Sequence, residues 1–98
     1  MTNKKNNRYK ILLQEIELKD GKKSGKSIAF EFENHDNILS LIDQAQDKNR
    51  FEHKNQNTEF ILGLKLFSEV MLKNRENPLF EEFLPAFGQF MKKLKGKS

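Results

Sequence analysis

The chain has no cysteine and no tryptophan among its 98 residues, and only one tyrosine and two prolines. Without thiols it can form no disulfide, no thiolate nucleophile and no cysteine-ligated zinc site, which fits a reducing compartment. No apolar run approaches the roughly 20 residues needed to cross a bilayer. Met1 to Lys10 is not followed by an apolar stretch of the secretory kind. The expectation is a cytoplasmic protein with no membrane partner. Glycine-rich phosphate loops are also missing: no GxGxxG or P-loop occurs, and Gly21 and Gly25 open no helix.

What is present is 36% hydrophobic and 33% charged residues, with nine phenylalanines. That places the chain above the disordered range, and its length suits one domain with one modest core. The net charge of +4 is unevenly placed. Lys4, Lys5, Arg8 and Lys10 lie at the start; Lys19, Lys22, Lys23 and Lys26 surround a turn; Lys92, Lys93, Lys95 and Lys97 lie at the end. From Ser27 to Met91 there are six basic and eleven acidic side chains. The body is acidic and its extremities basic, which argues against a structured basic groove.

The longest apolar run, Phe60 to Leu72 (FILGLKLFSEVML), predicts a central helix over about 57–75. At about 3.6 residues per turn, Phe60, Leu64, Phe67 and Met71 fall on one line, flanked by Ile61, Gly63 and Val70. Lys65, Glu69 and Lys73 form an opposite strip that suits solvent. Leu62 and Leu72 lie on or beside that polar strip, which marks them as candidates for a partner surface.

Residues 1–7 are polar and aperiodic and are expected to be disordered, with a single α+β domain over 8–96. Arg8 to Lys19 reads as a strand. Tyr9, Ile11 and Leu13 share one face, whereas Leu12, Ile16 and Leu18 are in the other phase, so either a bulge near Gln14–Glu15 or partial cover of both faces is expected. DGKKSG, Asp20 to Gly25, is a turn, and Lys26 to Glu33 returns with Ile28, Phe30 and Phe32 on one side. A two-stranded hairpin is marginal alone, so helices must cover its apolar face.

Asn34 is the expected N-cap of a first helix, with Asp36 in its first turn and a stripe of Ile38, Leu41, Ile42 and Ala45. That helix should end near Asp47. A polar connector containing Phe51 follows, with Asn55 or Asn57 as the next cap. Asn77-Pro78 restarts the chain as cap and first helical residue. Leu84-Pro85 should break or kink the helix, and a last one should run from about Pro85 to Lys95 with Gly96 as terminator. The prediction is a β-hairpin followed by three to four helices packed on one face.

Three stretches, FEFENHDNIL, LGLKLFSEVMLKNRENPLF and FGQFMKKLKG, together resemble a small bacterial family known only as a domain of unknown function. The resemblance spans roughly Arg8 to Gly96. It implies an α+β fold of hairpin then helices, and nothing catalytic.

No constellation in the sequence carries chemistry. His35 follows one cap candidate, and His53 lies in the polar connector; a His53–Glu59 pair lacks a third metal ligand. Ser24, Ser27, Ser40 and Ser68 have no nucleophile elbow or triad context. Glu31/Glu33 and Glu81/Glu82 read as solvated pairs. Catalytic, cofactor and metal sites are therefore expected to be absent. Two unpaired hairpin edges and a first strand apolar in two phases point to a homodimer, its hairpins paired edge to edge or packed face to face with Leu62, Leu72, Leu12, Ile16 and Leu18 as candidate interface residues, and to an interaction module with an unknown protein partner. The alternative is low-specificity nucleic-acid binding through Lys22, Lys23, Lys26 and the basic tails. Against it, the aromatic residues that would stack on bases are assigned to apolar faces.

Overall fold

The computed structural model describes residues 6–96. The expected α+β order is found: β1 (Asn7–Gln14), β2 (Ser27–Asn34), α1 (Ile38–Gln46), α2 (Lys54–Lys73), a 3-10 turn (Pro78–Phe80) and α3 (Phe83–Leu94). Of the residues expected to be disordered, Met1 to Lys5 lie outside the described range. Asn7 begins β1, and its amide reaches the Asp36 carbonyl at 3.1 Å.

The hairpin is antiparallel, pairing Tyr9 with Phe32, Ile11 with Phe30 and Leu13 with Ile28. Side chains alternate across a strand, so these six share one face. Arg8, Lys10, Glu31 and Glu33 occupy the other, where Arg8 meets Glu31 at 2.8 Å. The strand stops at Gln14 rather than running to Lys19. Glu15 N–H still bonds the Lys26 carbonyl at 2.8 Å, but Leu18 and Lys22 then close a tight turn of their own. The phase change at Ile16 and Leu18 is thus the end of the strand and not a bulge. Gly21 and Gly25 take φ of 88° and 73°, the left-handed region that the turn requires.

Strand and helix are joined by a small polar knot. Asn37, not Asn34, caps α1 by accepting from Ser40 N–H at 3.1 Å. Asn34 has a different task. Fully buried, it accepts from Asp36 N–H at 3.0 Å and donates to the Lys65 carbonyl at 3.3 Å. The Tyr9 hydroxyl donates to the Asp36 carbonyl at 2.9 Å and accepts from Ile38 N–H at 3.0 Å, satisfying an orphan donor of the first helical turn. In α1, Ile38 and Ala45 are buried and Leu41 and Ile42 half-buried, the stripe the sequence predicts.

The central helix begins at Lys54 with His53 as cap residue, ahead of the expected Asn55 or Asn57. Asn57 instead lies inside the helix, buried and bonded to Gln46 of α1 at 3.5 Å. The buried line of α2 is Asn57, Ile61 and Met71. It is rotated from the predicted stripe: Phe60 and Leu64 are half-buried, and Phe67 is exposed. Lys65 and Glu69 are correspondingly withdrawn from solvent, with side chains only 19% and 20% exposed. The strip expected to face water is therefore partly covered by the hairpin. The reason is that Asp36, at the exit of β2, supplies a partner for Lys65 at 2.9 Å.

Asn77 and Pro78 start a turn as predicted, with Asn77 accepting from Leu79 N–H at 2.9 Å. The last helix does not break at Leu84-Pro85. It starts at Phe83, so Pro85 is its third residue, where a missing N–H costs no intrahelical bond. Gly96, with φ of 75°, follows the helix as expected.

Candidate interaction surface

Two apolar hollows and a polar groove along α2 stand out, together with one uncovered arm. One side of α2 meets α1. Its aromatic edge meets the chain's end: Phe60 lies 5.3 Å from Phe51 and 6.2 Å from Phe90, centroid to centroid, and Phe67 lies 6.1 Å from Phe80 and 5.8 Å from Phe83. Phe67, Leu79, Phe80 and Phe83 line a depression of about 280 Å³. Across the ridge, Phe30 and Phe32 of β2 face Leu66 and Val70 of α2 over a second depression of about 380 Å³. Phe67 and Val70 are three residues apart, so these hollows lie on either side of one line of α2.

The arm is the far half of the hairpin. Near its base the apolar face is covered, with Tyr9, Ile11 and Phe32 half-buried. Beyond them cover ends: Leu13 is 67% exposed, Leu12 on the opposite face 61%, and Ile16 past the strand end 82%. Ile28 and Phe30 are exposed as well. A strand pair apolar on both faces at its free end cannot be covered by one flat surface. The connection beyond it carries Lys19, Lys22, Lys23 and Lys26 against Glu15, Glu17 and Asp20, with Lys22, Lys23 and Lys26 gathered on its returning side. Among the described residues none of these lysines makes an ion pair.

The residues singled out from sequence are divided by the fold. Leu12, Ile16 and Leu18 are exposed on the arm and its loop, together with Lys22, Lys23 and Lys26. Leu62 is half-buried on α2. Leu72 is exposed but stands on the rim of a polar groove of about 470 Å³ that also contains His35, Asp36, Lys65, Glu69 and Lys95. Leu62 and Leu72 are thus not brought together with the arm residues. Leu13, Ile28, Phe30, Leu79 and Phe83 are the surface residues that sequence reasoning missed. Each sits in a regular apolar pattern, and periodicity cannot tell an inward face from an uncovered one.

The polar groove is largely self-satisfied. His35 stands 3.5 Å from both the Asp36 and Glu69 carboxylates, and Lys73 lies 3.8 Å from Glu69. Burial would raise the Asp36 carboxyl. The hydrogen bond and charge of Lys65, with His35 and Lys95 adding, outweigh it and hold the group below its ordinary value. Among the described residues no three metal-ligating side chains cluster. His53 is exposed at the start of α2.

A family model described as a domain of unknown function with a solved structure, DUF3861, matches residues 7–96. A crystal structure of a protein of unknown function from Pectobacterium atrosepticum is similar at 35% identity and a TM-score of 0.82. The match covers 93% of this chain and 98% of that one. No curated protein matches the chain. The resemblance read from the three sequence stretches is thereby shown, and no enzyme family is indicated. Among the described residues no helix is long and apolar enough to cross a membrane.

Proposed function

We propose, for a chain that belongs to the DUF3861 family and takes no stated activity from it, a non-enzymatic interaction module that works as a homodimer. The carrying observation is surface. The chain exposes 8390 Å², whereas a compact monomer of 11.6 kDa exposes about 5,800 Å². Any seven residues expose at most about 1,200 Å² at the extended-chain value, an allowance set aside for those outside the described range. An excess above about 1,300 Å² remains, beyond the roughly 800 Å² per partner of a standard interface.

Shape supports the same reading. The radius of gyration is 16.2 Å, against about 13 Å for a compact domain of this length. The excess surface is apolar where it is concentrated, on the arm and on the α2–α3 ridge, and large contiguous apolar patches mark association sites. The polar groove favours no catalytic reading, because its carboxylates and cations are engaged with one another. Light scattering at low micromolar concentration is expected to return about twice 11.6 kDa. A monomer mass there would overturn the proposal.

A further inference from the structure

The dimer proposed above leaves open which surfaces meet, and the molecule holds two that suit each other. We propose that the subunits exchange hairpin arms: the free end of each arm seats on its partner's α2–α3 ridge. Leu13, Ile28 and Phe30 would cover Phe67, Leu79 and Phe83, and Lys22, Lys23 and Lys26 would meet Glu76, Glu81 and Glu82.

Three observations carry this choice of occupant. The first is complementarity of area. Leu79 is 77% exposed beside Phe67 and Phe83, in a hollow nothing in its own chain fills, while the arm is apolar on two faces with nothing to fill. Edge pairing of two β1 strands would satisfy their backbones but leave both arm faces in water. The second is charge. Lys22, Lys23 and Lys26 cluster on the arm's turn after Asp20, and the α2–α3 connection carries Glu76, Glu81 and Glu82 against Arg75. Among the described residues none of these three glutamates makes an ion pair, and neither do the arm lysines. The third is closure. An arm-to-ridge contact made twice about a two-fold axis completes itself at two copies and leaves neither surface over.

The exchange assigns the lysine-rich turn to the partner subunit and not to phosphate. It rests on the dimer reading, and paired charge reversals separate the two. One chain carries Lys22→Glu, Lys23→Glu and Lys26→Glu; a second carries Glu76→Lys, Glu81→Lys and Glu82→Lys. Each variant alone opposes like charges at both contacts of its own homodimer, and its dissociation constant should rise by about tenfold or more. Mixed one to one, the two variants should form a heterodimer near wild-type strength, because each arm then meets a ridge of opposite sign. Circular dichroism checks that both fold. The wild-type dimer supplies an independent reading: its dissociation constant should rise several-fold between about 50 and 500 mM salt.

If the wild type is a dimer but the reversed chains self-associate equally well, or the mixture forms no heterodimer, the exchange is overturned and the dimer stands on another surface. Should a reversed variant not fold, a wild-type dissociation constant indifferent to salt overturns the exchange by itself. If the wild type is a monomer, both readings fall together.

Discussion

At the residue scale the fold depends on side chains around the β2–α1 corner, Asn34 and Asp36 above all. Asn34 accepts from Asp36 N–H on the corner and gives a second donor to the Lys65 carbonyl, a group inside α2 that the helix ladder already pairs. Asn34→Ala would leave the Asp36 N–H without its partner, at a cost of about 1–3 kcal/mol. For a domain of this size that lowers Tm by about 5 °C or more, readable by thermal denaturation. Asp36 gives a pH signature. Its carboxyl is depressed in the folded state, so its stabilising effect is complete above the unfolded carboxylate value of about 3.9 and is lost as pH falls through the folded value. Asp36→Asn should therefore cost about 1 kcal/mol at neutral pH and shrink toward zero in acid, seen in urea titrations at several pH values. Equal losses at pH 7 and pH 3 would contradict that role. None of this corner was legible in the sequence beyond the strong cap signal. Asn34 and Asn37 offer the same chemistry, and only the path of β2 decides which one is buried.

At the element scale, helix limits follow local chemistry where a residue has one competent role. Asn77-Pro78 and Gly96 perform the roles their types suggest. Pro85 did not, because its effect depends on where the helix begins: four residues later it would have broken the ladder. The helices also contain two glycines, Gly63 and Gly88, with open space where a Cβ would stand. Gly88 lies one turn from the half-buried Leu84 and Met91 on α3 but is itself exposed, so an added methyl meets no neighbour. Gly88→Ala should raise stability by about 0.8–1 kcal/mol through helix propensity alone, measured by chemical denaturation. A destabilised variant would mean that something approaches α3 closely at that point.

At the scale of the whole molecule, the described residues are arranged around a helix that its neighbouring elements share without enclosing. The buried hydrophobic set is small: Ile38, Ala45, Ile61, Met71 and Phe80. Such a core stabilises little beyond the conformational entropy it must offset. A second copy would bury the arm and ridge and enlarge it. Leu13→Asp with Ile28→Asp should accordingly shift a dimer to monomer in light scattering at low micromolar concentration, and lower Tm with it. Retained dimerisation would remove the arm from the interface. If the arm lysines serve the partner, a gel shift with short duplex or single-stranded nucleic acid should show no retardation even at about 50 mM salt.

The sequence by itself determined the class and order of elements, since strand alternation, helical periodicity and the Asn-Pro and glycine signals are local properties. It also determined that α2 would be apolar over more than one face. The direction of that helix was decided only in three dimensions. The Asp36 partner turned Lys65 and Glu69 inward and left Phe67 outward, a choice no local pattern encodes. The arm was decided the same way. Leu13, Ile28 and Phe30 carry the pattern of a covered strand, and only the tertiary structure shows that the cover stops at Ile11, because the helices are too few to reach past it.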